Sequence, residues 1–152
     1  MRKTFFKTGL VLVIALFAMS CSNDENSIQD ARDQYLGTWN SISSGSLTLF
    51  QNGQSVGTVP INETNTVSIS KSGNNTLLID GTSHIVNGNN LTSNPTPVTE
   101  NSNGVNIVGT EVNSGTLGSN IITLNKAITG TWNATTGDSG NLSGGVIITL
   151  TR

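Results

Sequence analysis

The sequence predicts an all-β, antiparallel domain: an up-and-down β-barrel of eight to ten short strands, with a β-sandwich as the alternative. Three observations lead there. From Tyr35 onward, short alternating apolar runs recur roughly every ten residues. The dipeptides Asn52-Gly53 and Asp80-Gly81 fall between such runs, and both favour the positive backbone angles of tight hairpin turns. The remaining composition is rich in Asn, Thr, Ser and Gly, residues that disfavour helix interiors and suit turns and exposed strand faces.

The elements follow in order. Residues 22–34 are a polar stretch; Ser27 and Asp30 fit a short capped helix with Ile28, Ala31 and Tyr35 on one side, and an extended linker fits equally well. Tyr35–Ile42 reads as the first strand, Ser43–Gly45 as a turn, and Ser46–Gln51 as the second strand. Ser55–Ile61 follows, with Pro60 placing it at a strand end or a sheet edge. Asn65–Lys71, Thr76–Asp80 and His84–Val86 continue the meander, separated by turns at Ser72–Asn75 and Asp80-Gly81. Thr92–Gly104, with Pro95 and Pro97, is the least regular part and reads as a long loop or rim excursion. Val105–Val112 resumes strand character, with Gly109 as a candidate bulge and Leu117 in a short connection. Ile121–Asn125, Ala127–Ala134 and Gly145–Thr151 are closing strands, with Val146, Ile148 and Leu150 on one face of the last.

The N-terminus reads as an address. Arg2, Lys3 and Lys7 precede an apolar run, Leu10–Met19, too short for a stable membrane span. Ala18-Met19-Ser20-Cys21 resembles a bacterial lipobox, with Cys21 the single cysteine of the chain. That resemblance implies a signal peptide over 1–20, lipidation of Cys21 and an acidic tether over 21–34, followed by one β domain over 35–152. Diacylglyceryl and N-acyl (palmitate-type) chains together would anchor the protein durably, because each buried methylene contributes about 0.8 kcal/mol. Removal of 1–20 takes three of the seven basic residues and none of the nine acidic ones, leaving a formal charge of 4 − 9 = −5. Such a balance argues against nucleic acid as a partner. Ser22-Asn23-Asp24-Glu25 resembles the acidic export signal of surface lipoproteins in Bacteroidetes, which implies an outer-membrane, lipid-anchored and surface-exposed protein.

The tetrapeptide Gly-Thr-Trp-Asn occurs twice, at Gly37–Asn40 and Gly130–Asn133, and holds both tryptophans. Tyr35-Leu36-Gly37-Thr38-Trp39 resembles the Gly-x-Trp signature of lipocalin-like domains. In that family the tryptophan lies on the first strand across the closed end of the barrel. The family's basic partner has a counterpart only in Arg152, and no disulfide pair is available. Closing a barrel brings the last strands against the first, so Trp39 and Trp132 are expected to be buried and adjacent. Tyr35, Trp39 and Trp132 are thus candidate core residues, with ligand stacking as the lesser role.

No catalytic constellation stands out. His84 is the single histidine and follows a tight turn, as a surface residue at a strand start would. Glu63, Asp80, Glu100, Glu111 and Asp138 lie in or beside turns, without a context that marks an acid–base pair. Neither a metal site nor a cofactor is expected from so few imidazole and thiol ligands. The expectation is a non-enzymatic envelope lipoprotein with an accessory, structural or small-ligand-binding barrel. The ligand implied by the lipocalin resemblance is small and apolar, although a core with so few aromatics points to a filled interior. A sandwich-type surface module binding an envelope protein or glycan is the alternative.

Overall fold

The computed structural model describes residues 30–102 and 104–152. Ala31–Arg152 forms one compact unit, apart from Met1–Asp30. Cys21 and the start of the helix read from Ser27 lie outside the described residues, and the described end of that stretch holds a 3₁₀ turn and no α-helix. The unit opens with a 3₁₀ turn over Asp33–Tyr35. Nine antiparallel strands follow: β1 (Gly37–Gln51), β2 (Gln54–Ser72), β3 (Thr76–Ile79), β4 (Thr82–Asn87), β5 (Asn90–Ser93), β6 (Thr96–Ser102), β7 (Val105–Leu117), β8 (Ile121–Ala134) and β9 (Ser139–Thr151).

They form a single sheet in the order β5-β4-β3-β2-β1-β9-β8-β7-β6, and an additional β5–β7 pairing makes it a ring. The first and last strands meet over Asn40–Phe50 and Asn141–Thr151, as closure demands. The fold is therefore barrel-like, and the sandwich alternative falls away, since there is one sheet that returns on itself.

The strands are fewer breaks and more length than the sequence suggests. Ser43–Gly45 is no turn; it runs through the middle of β1, paired to Glu63–Ile61 on one side and Ile148–Val146 on the other. The small side chains mislead because they are the inward-facing ones, where the barrel wall bends close: a Cβ on Gly45 would lie 2.1 Å from the Gly145 carbonyl oxygen. β2 and β8 are likewise continuous where the sequence suggested breaks, and there the side chain lining the interior is charged, Glu63 on β2 and Lys126 on β8. Thr92–Gly104 is also mostly strand, because β6 hydrogen-bonds along β7 from Thr96 to Ser102. Gly109 sits in register opposite Gly130 with no bulge, and the shift in the β1–β2 ladder lies between Leu49 and Phe50. The hairpin turns are as expected, with Asn52 and Gly53 at φ 51° and 78°, and Asp80 and Gly81 at 49° and 80°.

Closure is complete at one end only. β3 covers β2 only from Ile69 to Ser72, and β5 covers β7 only from Ser114 to Thr116. Beyond them, Gln54–Val67 of β2 and all of β6 each keep one edge without a strand partner among the described residues. The wall is interrupted there, between two free edges, and Pro60 lies on one of them.

Two hydrophobic clusters occupy the interior of the ring. One, at the fully closed end, holds Trp39 with Tyr35, Leu77, Leu91, Ile122 and Leu150. The other holds Trp132 with Leu47, Leu49, Ile107, Ile128 and Leu142. Both tryptophans are buried, at 1% and 5% exposure, but they are not neighbours. Asn40 pairs with Thr151 of β9 and Trp132 with Gly140; eleven residues of strand (151 − 140), about 35 Å at the usual rise, separate these levels. The repeated tetrapeptide places one ring at each end because β1 and β8 run the same way along β9, and the motif opens β1 but lies near the end of β8.

Candidate functional site

Between the two apolar clusters the inward-facing positions turn polar. Alternation along each strand decides which residues arrive there. On β7 the inward set runs Ile107, Gly109, Glu111, Asn113, and on β8 it runs Leu124, Lys126, Ile128. On β1 the inward position between Trp39 and Leu47 is taken by Ser41 and Ser43. His84 arrives from β4, paired to Leu77 on one side and Ser93 on the other.

The band contains two overlapping cavities. One, of about 290 Å³, is lined by Leu47, Ile107 and Ile128 inside and by Pro60–Glu63, Val98 and Glu100 at the wall. The other, of about 280 Å³, is lined by His84, Asn113, Ser41 and Leu150. Ser43, Glu63, Glu100, Glu111, Lys126 and Ile148 belong to both. The residues of β2 and β6 that line them come from the two unpaired edges, so the interior opens sideways through the interruption in the wall. A filled interior is therefore not what the sheet encloses: half-closure leaves the wall without the side chains of two further strand pairings.

The charges are arranged in depth. Lys126 Nζ donates to Glu111 Oε2 at 2.8 Å, with the carboxylate side chain 10% exposed and the ammonium side chain 27%. Glu63 and Glu100 are exposed at the mouth, and neither forms an ion pair among the described residues. Deeper, His84 is buried at 1% exposure and Asn113 at 3%. His84 Nδ1 lies 2.9 Å from the Thr82 carbonyl oxygen. A carbonyl only accepts, so Nδ1 carries the proton and Nε2 presents a lone pair. That Nε2 and Asn113 Oδ1 have no hydrogen-bond partner among the described residues. Ser93 links the two strands, opposite His84 in the ladder and with its Oγ accepting from the Asn113 backbone N–H at 2.8 Å.

Burial lowers the His84 pKa below its ordinary 6.5, against the opposing pull of the Thr82 carbonyl and Glu111, with Lys126 adding to the depression. The ring is neutral at physiological pH. An unpaired buried acceptor costs about 1–3 kcal/mol, so this pair stands out against an otherwise satisfied interior.

The residues singled out from sequence fall elsewhere. Trp39 Nε1 donates to the Tyr35 carbonyl at 2.8 Å, and Arg152 stacks 4.5 Å from the Trp39 ring centroid. Arg152 also donates to the Gln34 carbonyl at 2.8 Å and to that of Leu36. Trp132 Nε1 donates to the Phe50 carbonyl at 3.2 Å. Tyr35, Trp39 and Trp132 line neither interior cavity; they are end plugs. Conversely His84, read as a surface residue, is buried, and Glu63, Glu100 and Glu111 share one interior. The signal was present in part: counting by twos from the Asp80-Gly81 turn puts His84 on the face of Thr82 and Val86. What no count reveals is that β4, β7 and β8 face the same space.

Among the described residues no three His, Cys, Asp or Glu side chains gather in a way that holds a metal ion. No protein-family model matches the chain, and no curated protein or solved structure matches it either.

Proposed function

We propose that this is a lipid-anchored protein of the bacterial outer membrane whose barrel-like domain binds a small molecule in its interior. The observation that carries the binding half is the pair of polar-banded cavities behind the interrupted wall. Each is close to the lower bound of about 300 Å³ for small-ligand sites. The lining mixes apolar side chains with a few convergent polar groups, the pattern by which such sites combine affinity with orientation. The anchoring half rests on the lipobox-like Ala18–Cys21 and the acidic stretch after it. The Gly-x-Trp strand, with Arg152 over the Trp39 ring, supports a lipocalin-like plan in which the tryptophan of the first strand plugs one end of the barrel. Binding, not catalysis, suits the site: the His84 Nε2 lone pair has no hydroxyl or thiol within hydrogen-bonding reach, so no nucleophile is activated by it.

Two measurements on the full chain test this. Cys21→Ala should move the protein from the membrane to the soluble fraction and abolish palmitate labelling; an unchanged membrane fraction refutes the anchor. The neutral probe N-phenyl-1-naphthylamine should brighten on mixing with the protein, and Ser43→Phe, which projects a ring into the space both cavities share, should remove most of that signal. Equal brightening in the variant would place the probe outside the interior and refute the binding reading.

A further inference from the structure

The lining goes further than cavity shape and identifies the chemistry of the ligand. We propose that the interior takes a small aliphatic amine in its ammonium form, admitted between Glu63 and Glu100 and seated on His84 Nε2 and Asn113 Oδ1. This rests on the interior-binding reading above and gives it a substrate class.

Two independent observations meet here. The first is charge. Of the four charged side chains lining both cavities, Glu111 and Lys126 neutralise each other at 2.8 Å. Glu63 on β2 and Glu100 on β6 remain, one on each free edge of the mouth. The mouth therefore carries a formal charge of −2, to which Asp80 in the lining of the deeper cavity adds a third negative charge, and a cleft of one sign concentrates counter-ions of the other. Anionic ligands are repelled, and neutral ones gain nothing from it.

The second is hydrogen-bond demand. Both buried groups left without partners are acceptors, one fixed as such by the Thr82 carbonyl on the far side of the ring. Only a donor satisfies them. An ammonium group offers three donors and no acceptor, whereas a hydroxyl offers one donor and brings lone pairs that this pocket does not need. Hydrogen bonds to a charged donor are also roughly twice as strong as neutral ones. Ile148 and Leu124 beside the acceptors, with Leu47, Ile107 and Ile128 in the adjoining cavity, give the methylene chain of such a ligand an apolar bed. A linear diamine fits the layout best, with one ammonium inside and the other between the mouth carboxylates.

Titration calorimetry on the full chain in detergent, at low salt and neutral pH, separates the possibilities. The probes are 1,5-diaminopentane, 1,5-pentanediol and glutarate, which share length and differ in charge. The diamine should bind, and the diol and the dicarboxylate should bind at least tenfold more weakly. Glu63→Gln with Glu100→Gln should weaken the diamine roughly three- to tenfold, as fits two exposed ion pairs. His84→Leu should weaken it more than tenfold, while His84→Gln, which keeps an acceptor, should restore most of the affinity. Unchanged thermal unfolding of these variants shows that the loss is local. Diol binding as tight as diamine binding would overturn the ammonium assignment and leave interior binding standing. Brightening of N-phenyl-1-naphthylamine with no heat from the diamine would do the same. Diamine affinity that survives both His84→Leu and Asn113→Leu would overturn the seat.

Discussion

His84 shows how one side chain acquires a property that its neighbours in sequence do not announce. The turn at Asp80-Gly81 sends β4 back along β3, and the pairing of His84 with Leu77 turns the ring inward to 1% exposure. Burial then holds its pKa below 6.5. The consequence for stability has a definite sign. Between the depressed native pKa and 6.5 the unfolded chain binds a proton that the native state does not, so stability rises with pH across that window. It is fully present above 6.5 and is lost as the pH falls below it, with a slope of at most about 1.4 kcal/mol per pH unit for one proton. Glu111 and Lys126, facing His84 from β7 and β8, are unchanged in the comparison of wild type with His84→Gln. Urea midpoints at pH 7 and pH 5 should therefore differ more for the wild type than for the variant. Equal pH sensitivity would mean that the imidazole is protonated where it lies.

At the scale of the element, small inward residues let the wall bend closely without breaking a strand, at Gly45 of β1 and at Gly109 and Gly130. Gly109 and Gly130 face each other on β7 and β8. A Cβ on Gly130 would lie 2.3 Å from the Val108 carbonyl oxygen and 2.5 Å from the Gly109 Cα. Backbone stands there, and backbone moves only with the sheet. Gly57 of β2, by contrast, has nothing within 4 Å of such a carbon. Gly130→Ala should destabilise the domain by about 1–3 kcal/mol through overpacking. Gly57→Ala should be neutral or stabilise by up to about 1 kcal/mol, because alanine loses less backbone entropy in a strand. Thermal or denaturant unfolding of the two variants checks the contrast, and equal effects would show that the close approach is not what glycine serves. The second copy of the Gly-Thr-Trp-Asn motif thus carries a glycine of different use from the first. Gly37 holds φ at +112° as the chain enters β1, while Gly130 lies within a strand and needs space.

For the molecule as a whole, the polar band divides what would be one core into two. Each half has a tryptophan whose indole N–H is tied to a carbonyl at its own end. Because the halves share no packing except through Ile148, which touches both clusters, their losses should add. Trp39→Phe and Trp132→Phe are each expected to cost about 1–3 kcal/mol from the smaller ring and the lost hydrogen bond. The double variant should equal the sum within about 0.5 kcal/mol, as for distant sites. A coupling well above that in a double-mutant cycle would mean one continuous core. Keeping a polar layer and a broken wall between two apolar plugs costs stability, and the domain bears that cost across the region from which the cavities open.

The sequence by itself determined the all-β class, the antiparallel meander, and the tight turns at Asn52-Gly53 and Asp80-Gly81. These follow from local rules: alternation with a period of two, and the few residues that tolerate positive φ. It also marked Tyr35, Trp39 and Trp132 as buried anchors. The tertiary structure decided three further things. Ser43–Gly45 continues a strand, because small residues at a tight wall look like turn residues when only their order is known. The two tryptophans sit at opposite ends, because the register of β1 and β8 against β9 sets their separation and identical motifs carry no register. Finally, His84, Glu63, Glu100, Glu111, Asn113 and Lys126 share one interior. They come from five different strands (β2, β4, β6, β7 and β8), and only closure of the ring brings those strands to face the same space.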